Sequence, residues 1–205
     1  MNCNSILTFL FVLCVNSVPS SQKATQLSDL GLSIEQGERK IAIQSEHDTI
    51  ILSKEKFSVS FNLEKDDDVA QKYHAVRMVA DIDPEIFVQF ETDKKFEEIP
   101  ALALGTSLAG PRATPYKCIF FHDQAHHYIF YSSEAERRAN LVAKENEQLR
   151  LSFDIENYCM QDLEVNIKDS NFEEIFLVFV FDKNLNETVE ADEMVKIEIQ
   201  LEEED

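Results

Sequence analysis

The sequence is poor in the residues that build several common kinds of functional site. It contains no tryptophan, four glycines and five prolines among 205 residues. With so few glycines, a loop that cradles phosphate through its backbone is not expected, and neither a Gly-x-Ser-x-Gly nor a His-Glu-x-x-His motif occurs. These absences exclude the recognisable phosphate-binding, serine-hydrolase and zinc-protease motifs.

Positive charge is also scarce. The chain has 19 Lys and Arg residues against 39 Asp and Glu residues, which gives a formal net charge of −20. Such a surface repels the phosphates of nucleic acids and the headgroups of anionic lipids. We therefore expect no nucleic-acid partner, and the pattern leaves an unidentified protein or glycan partner open.

Long apolar runs are absent after the first twenty residues, so no transmembrane segment is predicted. Residues 1–20 have a polar start, an apolar centre at Ile6–Val15 and small residues at Val18-Pro19-Ser20. This layout is typical of a secretory signal peptide. The sequence thus predicts a secreted protein, extracellular or periplasmic, with a flexible segment at 21–30 and a single domain at 31–205.

Cysteine is limited to four residues, of which Cys3 and Cys14 lie in the predicted signal peptide. Cys118 and Cys159 remain in a chain that is expected to reach an oxidising compartment, and we predict that they form one disulfide. A bond that closes a loop of ~40 residues would stabilise the fold by about 4 kcal/mol in the chain-entropy model. The alternative is a pair of buried free thiols.

Alternating apolar and polar residues predict a protein built from β-strands. Every second residue is apolar at 57–63 and again at 149–155. A period of two is typical of a strand with one buried face. Further strands are predicted at 41–43, 49–52, 73–82, 86–90, 116–121, 128–131 and 163–167, with 116–121 and 128–131 paired as a hairpin.

Turns rather than long helices separate these strands, which argues against a parallel α/β sheet. We predict an all-β fold, a single antiparallel β-sandwich that is jelly-roll-like and has about ten short strands. Its core should be rich in phenylalanine, since the chain has 15. One short helix is expected near 134–147, where Ala, Glu, Arg and Lys are frequent.

The last two predicted strands, Ile175–Phe181 and Met194–Leu201, enclose a twelve-residue acidic loop. Its odd positions and its last position carry oxygen-bearing groups at the spacing that calcium requires in an EF-hand loop. With the short segments Phe-Asp-Lys-Asn and Ala-Asp-Glu, this loop resembles that of EF-hand proteins. The resemblance covers the loop and a few flanking residues. It implies calcium as a cofactor, with the ligands Asp182, Asn184, Asn186, Thr188 (through its carbonyl), Glu190 and Glu193.

Two residues of the loop and the runs on either side of it bear on this prediction. Glu187 stands at position 6, where the sharp turn favours glycine because the backbone needs a positive φ. The flanking runs suit strands rather than the helices of an EF-hand. In a eukaryotic secretory pathway, Asn186-Glu187-Thr188 is also an acceptor sequence for N-glycosylation at Asn186, which would compete with its role as a ligand.

A histidine cluster between two predicted strands offers an alternative metal site. Imidazole and carboxylate groups bind zinc and similar ions, and a tight hairpin would let the first and last histidines face each other. The other interpretation is a polar hairpin tip whose histidines form local hydrogen bonds. The cluster consists of His122, Asp123, His126 and His127.

Together these patterns predict an exported, non-catalytic β-sandwich with a binding or structural role, stabilised by calcium in the loop 182–193. The alternative is a metal-dependent hydrolase that uses the histidine cluster at 122–127. A solved arrangement of the three histidines would separate the two, since a hydrolase needs them to converge in a cleft.

Overall fold

A computed structural model of the chain describes residues 30–64, 76–103, 118–119, 129–132, 138–145, 148–160 and 163–203. The predicted signal peptide at 1–20 lies outside these residues. The strands of the described residues are β1 (Ser33–Gln36), β2 (Arg39–Ala42), β3 (His47–Ser53), β4 (Phe57–Glu64), β5 (Val76–Asp81), β6 (Cys118–Ile119), β7 (Ile129–Tyr131), β8 (Arg138–Glu145), β9 (Gln148–Ile155), β10 (Asn157–Met160), β11 (Leu163–Asn166), β12 (Glu174–Phe181) and β13 (Met194–Glu202).

Short helices connect some of these strands. Helix α1 spans Glu85–Gln89 and α2 spans Pro100–Ala103, and single 3-10 turns occur at Phe96–Glu98, Ile167–Asp169 and Ala191–Glu193. None of the helices in the described residues is long and apolar enough to cross a membrane.

The strands form three sheets. One has six strands in the order β2-β1-β4-β9-β8-β6, one has four in the order β3-β13-β12-β5, and one has three in the order β11-β10-β7. All pairings between these strands are antiparallel except that between β13 and β3, which is parallel. The predicted all-β sandwich is therefore confirmed, and its pairing is antiparallel apart from β3 and β13.

The core lies where alternating strands turn their apolar residues toward a second sheet. In β4 and β9 the alternate apolar residues are all buried. Phe61 of β4 meets Phe179 of β12 edge to face, with ring centroids 5.3 Å apart, so the six-stranded and four-stranded sheets contact each other through aromatic side chains. Edge-to-face geometry suits the quadrupoles of the two rings.

Strand β12 is buried along almost its whole length because both of its faces are covered. One face meets the six-stranded sheet through Phe179, and the other meets α1, where Phe87 lies edge to face with Phe176 at 5.4 Å. The Lys196 ammonium of β13 donates a hydrogen bond to the Phe87 carbonyl at 2.7 Å. A strand covered on both faces has a continuous apolar sequence rather than an alternating one.

The strand predicted at 86–90 is wrong, since these residues belong to α1. Asp83 precedes the helix, and its carboxylate accepts a hydrogen bond from the Glu85 amide at 2.9 Å. Pro84 has a helical backbone and lacks an N–H that the first turn would leave unpaired. Asp-Pro therefore starts a helix here instead of only ending a strand.

The helix predicted near 134–147 is also wrong for the described residues, since Arg138–Glu145 is strand β8. It pairs with β9 along its length, as in Leu141 opposite Leu151. Intrinsic helix propensity is a small preference, and the hydrogen bonds and burial gained beside β9 outweigh it. A shift in register after Leu141 leaves Val142 exposed.

The predicted hairpin between 116–121 and 128–131 is wrong in its pairing. Within the described residues, β6 pairs with β8 and β7 pairs with β10, so the two strands lie in different sheets. Their closeness in sequence suggested a hairpin, but sequence separation does not determine which strand edge is available for pairing.

Candidate cation site in the closing hairpin

The twelve-residue loop Asp182–Glu193 connects two strands that pair along most of their length. The register of β12 and β13 ends with Val180 opposite Met194, so the loop begins and ends where the hairpin closes. The apolar run before the loop and the alternating run after it create this hairpin, since both bury side chains against the core.

Asp182, the first residue of the loop, organises its first half. Its side chain is buried, and its two carboxylate oxygens accept hydrogen bonds from the amides of Asn186 and Glu187, each at 3.0 Å. The Asn186 side-chain oxygen then accepts a bond from the Thr188 amide at 2.8 Å. Short Asp and Asn side chains form such turns by bonding to amides a few residues further on.

The sharp turn at position 6 is present although the residue there is not glycine. Glu187 has a φ of 57°, and Leu185 has the same value. A residue with a side chain in this left-handed conformation costs roughly 1–2 kcal/mol. The bonds that Asp182 accepts offset that cost, so the loop makes this sharp turn without a glycine.

The second half of the loop is held against another segment of the chain. Val189 is fully buried; its amide donates to the Lys94 carbonyl at 2.9 Å, and its carbonyl accepts from the Asp93 amide at 2.8 Å. The Phe96 amide donates to the Glu187 carbonyl at 2.8 Å. The loop is therefore fixed from two sides, by its own strands and by the segment 93–96.

Glu193, the last residue of the loop, carries the most unusual carboxylate of the site. The residue is 0% exposed; its Oε1 accepts the Lys183 amide at 2.9 Å, whereas its buried Oε2 has no hydrogen-bond partner. Burial raises the pKa of Glu193, the Lys183 amide lowers it in part, and the charges of Glu190 and Asp182 raise it further. A buried carboxylate oxygen without a partner is costly, because it has lost its water and gained nothing in return.

The remaining predicted ligands meet at Glu190. Its Oε1 accepts hydrogen bonds from the side-chain amides of Asn184 at 2.9 Å and Asn186 at 3.0 Å. Asp182 joins this group by accepting the Asn186 amide, and Glu193 joins it through its own amide, which donates to the Glu190 carbonyl at 3.1 Å. Thr188 is attached through the Asn186 oxygen.

The chemistry of these donors fits a hard cation such as calcium, which takes six to eight oxygens. The fit requires rearrangement, however. Among the described residues, no three His, Cys, Asp or Glu side chains already lie together as metal ligands. The asparagine amides point their nitrogens at Glu190, so Asn184 and Asn186 would have to turn their oxygens toward the ion.

A cation that the sequence did not reveal approaches the loop from β5. The Arg77 guanidinium lies 5.4 Å from the centre of the Phe96 ring. Burial lowers the pKa of Arg77, while the charges of Asp182 and Glu187 raise it in part. Only the pairing of β5 with β12 brings Arg77 here, so no local signal in the sequence predicts it.

Several predicted site residues stay predictions. His122, Asp123, His126 and His127 lie outside the described residues. The backbone of Cys118 belongs to β6 and that of Cys159 to β10, but their side chains are not described, so the disulfide is untested. Asn186 is exposed, as a glycosylated residue must be, and this leaves its proposed modification open as well.

The chain shows no significant similarity to any protein-family model, curated protein sequence or solved structure with which it was compared.

Proposed function

We propose that this protein is an exported, non-catalytic β-sandwich with a binding or structural role, and that Ca²⁺ held by the loop Asp182–Glu193 stabilises it. The observation that carries the calcium proposal is the buried, unpartnered Oε2 of Glu193. In an EF-hand loop the twelfth residue is a glutamate that binds the ion through both carboxylate oxygens. Glu193 occupies that position of the resembling loop.

Three further features support calcium. The loop provides carboxylate, amide and carbonyl oxygens, which are the ligands that calcium prefers over imidazole or thiolate. The carboxylates of Asp182, Glu190 and Glu193 interact electrostatically, and an ion with two positive charges would relieve their repulsion. The turn at Glu187 gives the backbone the positive φ that such a loop needs at position 6.

The structural role follows from where the loop lies. It closes the hairpin of β12, the most deeply buried strand of the four-stranded sheet, and it is bonded to the segment 93–96 that follows α1. An ion bound here would join the hairpin to that segment and stabilise the native state by an amount that grows with the logarithm of the calcium concentration. The export prediction rests on the sequence pattern of residues 1–20.

Isothermal titration calorimetry with CaCl₂ on the folded protein tests the proposal, with Glu193→Gln as the variant and Asp192→Asn as the matched control. Asp192 is exposed, lies next to Glu193 and is not a predicted ligand, so it loses one negative charge without losing a ligand. We expect wild type and Asp192→Asn to bind one Ca²⁺, and Glu193→Gln to bind at least about tenfold more weakly.

Thermal melting provides a second measurement, in which calcium should reverse the order of stability of wild type and Glu193→Gln. Without calcium, Glu193→Gln should be more stable than wild type by about 1 kcal/mol at pH 7, because it removes a buried charge whose Oε2 lacks a partner. With calcium the order should reverse. A flat titration of the wild type, together with a melting temperature that calcium does not change, would refute the calcium site.

A further inference from the structure

We propose that the positive charge of Arg77, which lies beside the loop Asp182–Glu193, determines how tightly that loop binds Ca²⁺. The inference rests on the proposed calcium site and concerns what sets its affinity. The site itself is marked by the acidic loop and, independently, by the buried Oε2 of Glu193 that has no partner.

The position of Arg77 follows from strand pairing. Strand β5 runs antiparallel to β12 with Arg77 opposite Val180, two residues before the loop begins. The guanidinium lies over the Phe96 ring, and one of its nitrogens donates to the Val76 carbonyl at 3.3 Å. The Phe96 amide in turn bonds to the Glu187 carbonyl at 2.8 Å. Phe96 thus contacts both the arginine and the loop.

The guanidinium interacts electrostatically with the carboxylates of Asp182 and Glu187. Asp182 is the first predicted ligand, and Glu187 stands at the turn beside it. The other basic residue of this network, Lys183, bonds instead to Asp192 on the exposed side of the loop. Arg77 therefore supplies positive charge from the β5 side, where its guanidinium lies over the ring of Phe96 and the Phe96 amide bonds to the loop at Glu187.

A bound Ca²⁺ would place two positive charges near this guanidinium. Repulsion between the ion and the guanidinium weakens calcium binding. Asp182 would also have to interact with the ion while it is attracted to Arg77. Removing the charge of Arg77 should therefore strengthen calcium binding by about tenfold, the effect of one largely screened charge near the ion. Without calcium the same change should weaken the loop, because its carboxylates lose their internal counter-charge.

The test is calcium titration by calorimetry of wild type, Arg77→Met, Arg77→Lys and Arg39→Gln, each checked for folding by circular dichroism. Methionine keeps an apolar stem against Phe96 and removes the charge, whereas lysine keeps the charge. Arg39→Gln removes the same charge at a residue that bonds to the Ile51 carbonyl, and Ile51 pairs with Gln200 near the far end of β13. We expect a Kd about tenfold lower for Arg77→Met and changes within about twofold for the other two.

The outcomes separate this inference from the proposed function. If wild type binds calcium and Arg77→Met binds with the same Kd, Arg77 does not set the affinity, and the calcium site stands. If neither protein binds calcium, the site itself is refuted. If only Arg77→Met binds calcium, the proposed function of the wild-type chain is refuted, while the opposing effect of Arg77 on binding is supported. If Arg77→Met unfolds without calcium, its refolding on addition of CaCl₂ supports the inference, and failure to refold contradicts it.

Discussion

Two residues of the closing loop, Leu185 and Glu187, adopt a φ of 57° although neither is glycine. The loop tolerates this because Asp182 accepts the amides on both sides of the turn, at Asn186 and Glu187. Glu187 is also close enough to Arg77 for their charges to interact. The attraction between the Glu187 carboxylate and Arg77 therefore offsets part of the cost of the left-handed backbone at Glu187.

Substituting Glu187 by glycine and by alanine separates these two effects. Both variants lose the carboxylate, but only glycine relieves the left-handed strain, so Glu187→Gly should be more stable than Glu187→Ala by about 1 kcal/mol. Urea unfolding measures the difference. At the exposed position Val88 in α1, the order should reverse, since alanine is preferred over glycine in a helix. Equal stability of the two Glu187 variants would contradict the strain at this residue.

At the level of elements, a polar cluster on the outer face of the six-stranded sheet joins four strands. Glu35 of β1 forms an ion pair with Lys40 of β2 at 3.3 Å and with Arg150 of β9, and it accepts the Ser60 hydroxyl of β4 at 3.3 Å. Burial raises the pKa of Glu35, but the hydrogen bonds and charges of Lys40 and Arg150 lower it by more, so it lies below the usual 4.5.

This shift predicts how stability depends on pH. A carboxyl group with a lower pKa in the folded state contributes stability that is complete above its unfolded pKa and is lost as pH falls through its folded pKa. Wild type should therefore lose stability below about pH 4.5, and Glu35→Gln should show a flatter profile there and lose up to about 1 kcal/mol at pH 7. Urea unfolding at intervals of about half a pH unit between pH 3 and pH 7 measures this dependence of stability on pH. Glu38→Gln, at an exposed residue, is the control. Parallel profiles for wild type and Glu35→Gln would contradict it.

For the whole molecule, the contact between the two larger sheets depends on aromatic side chains of β4 and β12. Phe61 and Phe179 are both fully buried, and their rings meet across the sheets. One cluster of buried apolar residues includes members of all three sheets, among them Phe130 of β7 and Tyr158 of β10. Loss of packing at the centre of that cluster should therefore destabilise all three sheets.

Phe179→Ala should lower the free energy of unfolding by about 3–5 kcal/mol, because it leaves a cavity between the sheets. Truncation of the exposed Leu185 to alanine should change it by no more than about 0.5 kcal/mol. Urea unfolding followed by far-UV circular dichroism and by tyrosine fluorescence should give coincident transitions if the sheets unfold together. Transitions that separate in Phe179→Ala would show that the sheets are independent.

Prediction from sequence succeeded where a strand has one buried face or lies at the centre of the core. The alternation in β4 and β9 and the apolar run of β12 identified these strands, because burial and local pattern agree there. It failed at α1 and β8, where short segments have weak local preferences. The helix preference of 138–145 amounts to little beside the hydrogen bonds that β9 offers along its edge.

The sequence by itself determined the closing hairpin and the spacing of oxygen-bearing residues in its loop, since both arise from neighbours along the chain. The tertiary structure alone decided that Glu193 is buried with an unpartnered oxygen, that Val189 bonds to the segment at 93–96, and that Arg77 lies over the Phe96 ring beside the loop. These features depend on which strands pair and in which register. Register is set by the burial of the whole core rather than by any short stretch of residues.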